Sequence, residues 1–208
     1  VALHGPDHPD VAMSRVELGL LRCDQAEYDE SERLVREGLE MARRELPARH
    51  PAIATAMSAP GHVLLERGSY DEAIAVLNET VKLQTVKDGV TPDLAGTLHE
   101  LANAHFYRGD YEEAESLTGR VLGMSRTLYG EKHPHVADDL VDLGAIQFEQ
   151  GHYKEAEVFY RQALDMTRAW YGYDHYKTAS NLTMLGRALV FQDRYDEAKG
   201  LLVEAVAI

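Results

Sequence analysis

Cysteine is almost absent from this chain of 208 residues. Cys23 stands alone, so neither an intrachain disulfide nor a Cys-rich zinc site can form, and the disulfide-stapled scaffolds of small secreted domains are excluded. A reducing, cytoplasmic compartment is the expectation. Basic residues are scarce as well: 21 Lys and Arg face 35 Asp and Glu, a formal net charge of -14. Binding to a phosphate backbone is driven by clustered Lys and Arg that release counterions, so nucleic acid is not an expected partner. No apolar run approaches the roughly 20 residues of a membrane span, and Val1-Ala2-Leu3-His4 lacks the charged and apolar regions of a signal peptide. No membrane partner is expected. An initiator Met is missing too, which suggests a sequence beginning inside a longer protein. Gly-rich phosphate loops and nucleophile elbows do not occur, nor does a strand for either to follow.

What the chain does have is a repeat. Tyr28, Tyr70, Tyr111, Tyr153 and Tyr195 lie 42, 41, 42 and 42 residues apart. Each opens a related phrase: Tyr28-Asp29-Glu30-Ser31, Tyr70-Asp71-Glu72-Ala73, Tyr111-Glu112-Glu113-Ala114, Tyr153-Lys154-Glu155-Ala156 and Tyr195-Asp196-Glu197-Ala198. Self-similarity at such a period is the mark of a repeat architecture. Two residues before the tyrosine stands Gly68, Gly109 or Gly151, replaced by Ala26 and Asp193 in the outer copies. Nineteen residues before it stands Pro9, Pro51, Pro92 or Pro134, with Tyr176 in the fifth copy. The preceding His8, His50, His133 and His175, with Thr91 as the variant, recur with the repeat and argue for a shared task in the joint between units.

Each unit reads as two helices. After the proline, Leu94, Leu98, Leu101 and Ala102, or Val136, Leu140, Leu143 and Gly144, follow the 3.6-residue period of one helix face. Proline suits the first position of this helix A, and glycine suits the left-handed turn after its end. From the tyrosine onward Tyr153, Ala156, Phe159, Tyr160, Ala163, Leu164 and Thr167 make the stripe of a helix B, in which the small residue permits close approach of the two backbones.

These units resemble tetratricopeptide repeats, in the longer variety found in kinesin light chains and many bacterial arrays, and the resemblance covers essentially the whole chain. The core pattern of Leu then small, Gly, Tyr, Ala, large and small is met by Leu143-Gly144, Gly151, Tyr153, Ala156, Tyr160 and Ala163. The joint Leu128-Tyr129-Gly130-Glu131-Lys132-His133-Pro134 belongs to the longer variety. The implied fold is all-α, a right-handed superhelical solenoid of five helix-turn-helix repeats and about ten helices. Residues 1–8 correspond to the end of a preceding repeat, and the repeats run 9–50, 51–91, 92–133, 134–175 and 176–208, the last truncated. Two departures stand out: Arg15 where the others have Met57, Leu98, Leu140 and Leu182, and Pro60 where they have Leu18, Leu101, Leu143 and Leu185. A proline inside a helix removes a hydrogen bond, so a kink is expected at Pro60.

By the resemblance, the A helices form the inner wall. The implied wall positions are Met13, Val16, Leu20 and Asp24; Thr55, Ser58, His62 and Glu66; Gly96, His99, Asn103 and Tyr107; Asp138, Val141, Ala145 and Glu149; Ser180, Thr183, Arg187 and Phe191. The peptide-binding candidates among them are His62, Glu66, His99, Asn103, Tyr107, Asp138, Val141, Ala145, Glu149, Thr183, Arg187 and Phe191. The lysine and asparagine clamp of chaperone-binding relatives and the paired asparagines of kinesin light chains are missing. Asp24, Glu66, Asp138 and Glu149 would favour a basic extended or helical peptide around the third and fourth units, with apolar contacts to Tyr107, Val141 and Phe191. A generic solvated acidic face is the plainer reading of the same charges.

Chemistry of other kinds finds no constellation. His133 and His135 flank Pro134 with diverging side chains and no third ligand fixed nearby. Asp138 and Asp139 point about 100° apart on a helix and read as surface charge. Cys23 reads as a packed thiol, and the sequons at Asn78 and Asn181 fall within predicted helices. No catalytic, cofactor or metal residue is assigned. The function expected is a non-catalytic protein-interaction scaffold, with a regulatory or substrate-recruiting segment of a larger signalling kinase, ATPase or peptidase as the alternative. Self-association through exposed array ends such as Leu201, Leu202, Val206 and Ile208 is a third possibility.

Overall fold

The computed structural model describes residues 8–47, 50–85 and 89–208. The reading of residues 1–8 as the end of a preceding repeat therefore lies, apart from His8, outside the described residues. The described residues form α-helices joined by turns and no strand. They gather into two compact units that meet in sequence at Gly109 and Asp110. The first holds α1 (Pro9–Asp24), α2 (Tyr28–Glu45), α3 (Pro51–Glu66), α4 (Tyr70–Gln84) and α5 (Pro92–Arg108). The second holds α6 (Tyr111–Tyr129), α7 (Pro134–Glu149), α8 (Tyr153–Tyr171), α9 (Tyr176–Val190) and α10 (Tyr195–Ala207).

Both helix boundaries within each repeat have local causes. The recurring histidine is an N-cap: Nδ1 of His8, His50, His133 and His175 accepts the backbone N–H of Asp10, Ala52, His135 and Lys177, each at 3.2 Å. In the variant joint, Thr91 Oγ1 accepts from the Leu94 N–H at 3.2 Å. One orphan donor of each A helix is satisfied this way. At the other end the chain turns through left-handed backbone before every tyrosine. Gly109 takes φ +91°, while Ala26 and Asp193 adopt +60° and +59° at the same place despite their Cβ atoms. That conformation costs a non-glycine residue roughly 1–2 kcal/mol.

Helices A and B of a repeat approach closely through the small residues. A Cβ on Gly144 would lie 2.5 Å from the Tyr160 ring, so the ring occupies the space a side chain would need. Tyr160 is buried there, which pushes its phenol pKa up to about 12. The first unit's core joins Ala12, Val16, Val35, Leu39, Ile53, Met57 and Val63. In the second unit one cluster packs Leu122 on Val136, Ala137 and Leu140, and another packs Tyr160 and Leu164 on Leu182, Leu185 and Leu189.

Several sequence readings change. Val16 is not a wall residue but 4% exposed in the core, with its Cγ2 against the Gly38 position of α2. Asp139 is not surface charge: it is 5% exposed. The side chains of His133 and His135 do not diverge. Their ring centroids are 4.9 Å apart, drawn together by Tyr129, which lies 4.8 and 4.7 Å from them. As the sequence indicates, Pro60 stands in the interior of α3, buried at an open pocket of about 210 Å³ that Arg36, Glu40 and Glu79 line together with Leu39, Met57 and Leu83. Asn181 is buried with its Nδ2 donating to Thr167 Oγ1 at 3.2 Å, which closes that sequon to a glycan, whereas Asn78 is exposed.

Candidate functional site

All twelve candidate residues keep some exposure, and they divide between the two units. His62, Glu66, His99, Asn103 and Tyr107 belong to the first; Asp138, Val141, Ala145, Glu149, Thr183, Arg187 and Phe191 belong to the second.

In the first unit, α3 and α5 are tied along their exposed faces. Thr55 Oγ1 donates to Asp93 Oδ1 at 3.1 Å, and His62 Nδ1 stands 3.2 Å from Glu100 Oε1. The hydrogen bond to Glu100 raises the His62 pKa above the ordinary histidine value against the opposing effect of partial burial; the charges of Glu100, Glu66 and Asp24 add to the rise. His62 is therefore the centre of an acidic neighbourhood. His99 and Asn103, one turn apart, make a side-chain hydrogen bond of 3.1 Å. Tyr107 is 61% exposed and stacks on Tyr70 with a centroid separation of 5.9 Å, and Arg108 donates to Asp71 at 2.8 Å. Cys23 is buried nearby, its thiol pushed up first by that burial and then by Glu66, which makes it a poor nucleophile.

The second unit ties α7 to α9 differently. Both carboxylate oxygens of Asp138 accept from Lys177 Nζ, at 2.8 and 2.7 Å. Partial burial works against the Lys177 ammonium, and the hydrogen bonds and charge of Asp138 more than reverse it, holding its pKa above the usual lysine value. Asp138 is thus neutralised within the wall rather than offered to a basic ligand. Further along, the Arg187 guanidinium lies 5.0 Å over the Phe148 ring, and Phe148, Tyr153 and Phe191 form a three-ring cluster with centroids 4.9 to 5.2 Å apart. Phe191 is 55% exposed. Val141 packs against the cores of both helix pairs, Ala145 is half-buried, and Thr183 Oγ1 is spent on the Ala179 carbonyl at 2.9 Å. Glu149 is exposed at the end of α7.

The partners Asp93, Glu100, Lys177 and Phe148 were not among the candidates. A signal for them exists in the repeat itself: Thr55 with Asp93, His62 with Glu100, Asp138 with Lys177 and Phe148 with Arg187 are each separated by one repeat length less three residues. Neighbouring A helices lie side by side with that register.

The tetratricopeptide repeat pattern matches residues 10–85, 93–169 and 155–208. The chain belongs to the tetratricopeptide repeat family. No curated protein matches it. Among solved structures, the repeat array is similar to nearly identical TPR-like repeats of the kinesin light chain type from Podosopora anserina, at 23% identity over 96% of this chain and 95% of that one, with a TM-score of 0.80. It is also similar to BtubC (BKLC) from P. vanneervenii, at 20% identity over 96% and 80% of the chains, TM-score 0.84. A Rap protein complexed with competence and sporulation factor shares 14% identity over 93% of this chain and 53% of that one, TM-score 0.74. These likenesses establish the tetratricopeptide fold, a scaffold commonly used for protein-protein interaction and typically non-catalytic. Among the described residues no helix is long and apolar enough to cross a membrane.

Proposed function

We propose that this tetratricopeptide array is a non-catalytic scaffold that holds segments of partner proteins against the exposed faces of its A helices. The observation that carries the reading is that within each unit these faces are already cross-linked, α3 to α5 and α7 to α9, which holds the remaining exposed side chains on a preorganised surface. The two faces differ in what they favour. Asp24, Glu66 and the His62–Glu100 pair, beside Tyr107, suit a Lys or Arg next to an aromatic or aliphatic residue. The Phe148, Tyr153 and Phe191 rings with Arg187 suit an apolar side chain followed by a carboxylate. The basic peptide expected around the third and fourth units is in this reading confined to the first unit. A cytoplasmic setting and the absence of a catalytic role belong to this proposal.

The test is capture of partners by the intact protein at low and raised salt, compared with Glu66→Lys plus Tyr107→Ala and, separately, with Arg187→Glu plus Phe191→Ala. Each pair is expected to remove a different set of partners while leaving helicity unchanged. Identical partner sets for all three proteins would refute binding on these faces. The regulatory reading, in which the array recruits substrates to a signalling enzyme, makes the same prediction for these faces and adds that an enzyme's activity changes when they are altered.

A further inference from the structure

The pocket at Pro60 lies between α2 and α4 over α3, and none of the twelve candidate residues lines it. Its floor is apolar, made by buried Leu39, Met57 and Pro60, and Leu83 stands open at its edge, 58% exposed. The repeat shows what opens it. Pro60 stands where the other A helices carry Leu18, Leu101, Leu143 and Leu185. Val76, six residues after the repeat tyrosine, stands where the other B helices carry Leu34, Leu117, Phe159 and Leu201. Two smaller side chains on the lining of one pocket leave volume that larger ones take up elsewhere in the array.

The rim carries charges of both signs. Arg36 is paired with Glu32 at 2.7 Å, but Glu40, Arg43 and Glu79 have no hydrogen bond or ion pair among the described residues. The second unit shows what two of these positions do when they meet. Fifteen residues after the tyrosine of α8 stands Arg168, nine after the tyrosine of α10 stands Glu204, and the two side chains bond directly. The same positions on α2 and α4 are Arg43 and Glu79, which line the pocket from different helices without bonding. Glu40 stands one turn before Arg43, a neighbour on the same helix surface.

Three kinds of occupant match the floor, and the rim separates them. An apolar side chain of a partner protein brings no charge, so it would strip water from Glu40, Arg43 and Glu79 and give nothing back. A simple apolar acid or amine satisfies one sign and meets repulsion from the other. A molecule with an ammonium and a carboxylate on neighbouring atoms, beside an apolar group, satisfies all three charges and the floor. The volume, below the roughly 300 Å³ at which pockets for drug-sized ligands begin, keeps that molecule small.

We propose that this pocket is a binding site for a free apolar α-amino acid. Its side chain rests on Leu39, Met57 and Pro60, its carboxylate accepts from Arg43, and its ammonium donates to Glu40 and Glu79. The bound zwitterion would link α2 to α4 as the Arg168–Glu204 bond links α8 to α10. Partner capture on the A-helix faces is a separate matter, and neither reading depends on the other.

Calorimetric titration of the 208-residue chain with valine, leucine, methionine and phenylalanine tests this. At least one is expected to bind saturably, one per chain, with a dissociation constant below about 1 mM. Arg43→Gln and Glu79→Gln, both at exposed positions, should each weaken that binding by about tenfold at unchanged helicity. Pro60→Leu, which returns the repeat's own residue and fills the pocket, should abolish it while the protein stays folded. The deaminated and the decarboxylated analogue of leucine, 4-methylpentanoate and 3-methylbutylamine, should each bind at least about tenfold more weakly than leucine itself. Binding of none of the four amino acids below about 1 mM overturns the proposal. So does binding that survives Pro60→Leu, or binding of either analogue as tight as that of leucine.

Discussion

The two units are built from the same repeat yet lock their joints with different chemistry. In the second, the residue eighteen after the repeat tyrosine is aromatic and closes on the capping histidine: Tyr129 stacks on His133 at 4.8 Å, Tyr171 on His175 at 4.2 Å, and Trp170 adds an edge contact to His133 at 5.4 Å. In the first unit the corresponding place after α2 is Leu46, and His50 caps α3 without a ring partner in its own joint. The exposed faces differ in the same sense, a histidine–carboxylate pair in one and a lysine–carboxylate pair with a stacked arginine in the other. Backbone pattern and local chemistry are thus separable: proline, cap and left-handed turn suffice for the helices, while the side chains around them are free to differ.

The strongest way to sharpen that contrast is at Pro60 and at Gly144, the residue after its counterpart Leu143. Pro60→Leu in the first unit restores a donor to the Ala56 carbonyl and fills the neighbouring cavity, so stability should rise by up to about 3 kcal/mol, read as a higher denaturation midpoint at unchanged slope. Gly144→Val, beside Leu143, has no room against the Tyr160 ring and should lose about 3 kcal/mol in the same assay. If both changes moved the midpoint by less than a few tenths, the close packing of helices A and B would not control stability as argued.

Next come the joints. Tyr171→Leu gives the second unit the first unit's joint and should cost about 1 kcal/mol through the lost stacking on His175. Leu46→Tyr attempts the reverse and should return roughly 0.5 kcal/mol. At the turns, Ala26→Gly relieves a positive φ and should stabilise by about 1 kcal/mol, whereas Gly151→Ala should cost a similar amount. Hydrogen exchange in the flanking helices would separate these local effects from a global one.

The smallest expected effects concern the exposed pairs. Lys177→Ala should lose less than about 1 kcal/mol, and less still at high salt, because Asp138 is nearly half exposed. His62 should make the first unit pH-dependent. Its pKa is raised on folding, so its contribution is fully present below the ordinary histidine pKa and disappears as pH rises through the higher folded value. Denaturation of wild type and His62→Gln across that window should show the difference shrinking with rising pH. A constant difference would mean that the Glu100 contact carries no charge.

Much of this was legible along the chain. The tyrosine phrase marks the start of every B helix, the proline the start of every A helix but α9, and the glycine three of the five turns, because caps and turns depend on residues within one turn of each other. The twelve candidate residues, placed by the family resemblance, all keep some exposure. The joint histidines could be seen to share a task, but that the task is capping depends on Nδ1 geometry. The wall was harder. Asp138 looks like a free acid until α9 brings Lys177 beside it, and Val16 looks like its neighbours until Gly38 opens space for it in α2.

Sequence by itself therefore determined the family, the all-helical class, the placement of helices and the acidic character of the protein, since each depends on composition or short-range periodicity. Tertiary structure alone decided which acids remain available and which aromatic residues cluster. Those outcomes depend on side chains brought together across neighbouring helices, at a register of one repeat less three residues, and electrostatics and burial act through that distance in space rather than along the chain.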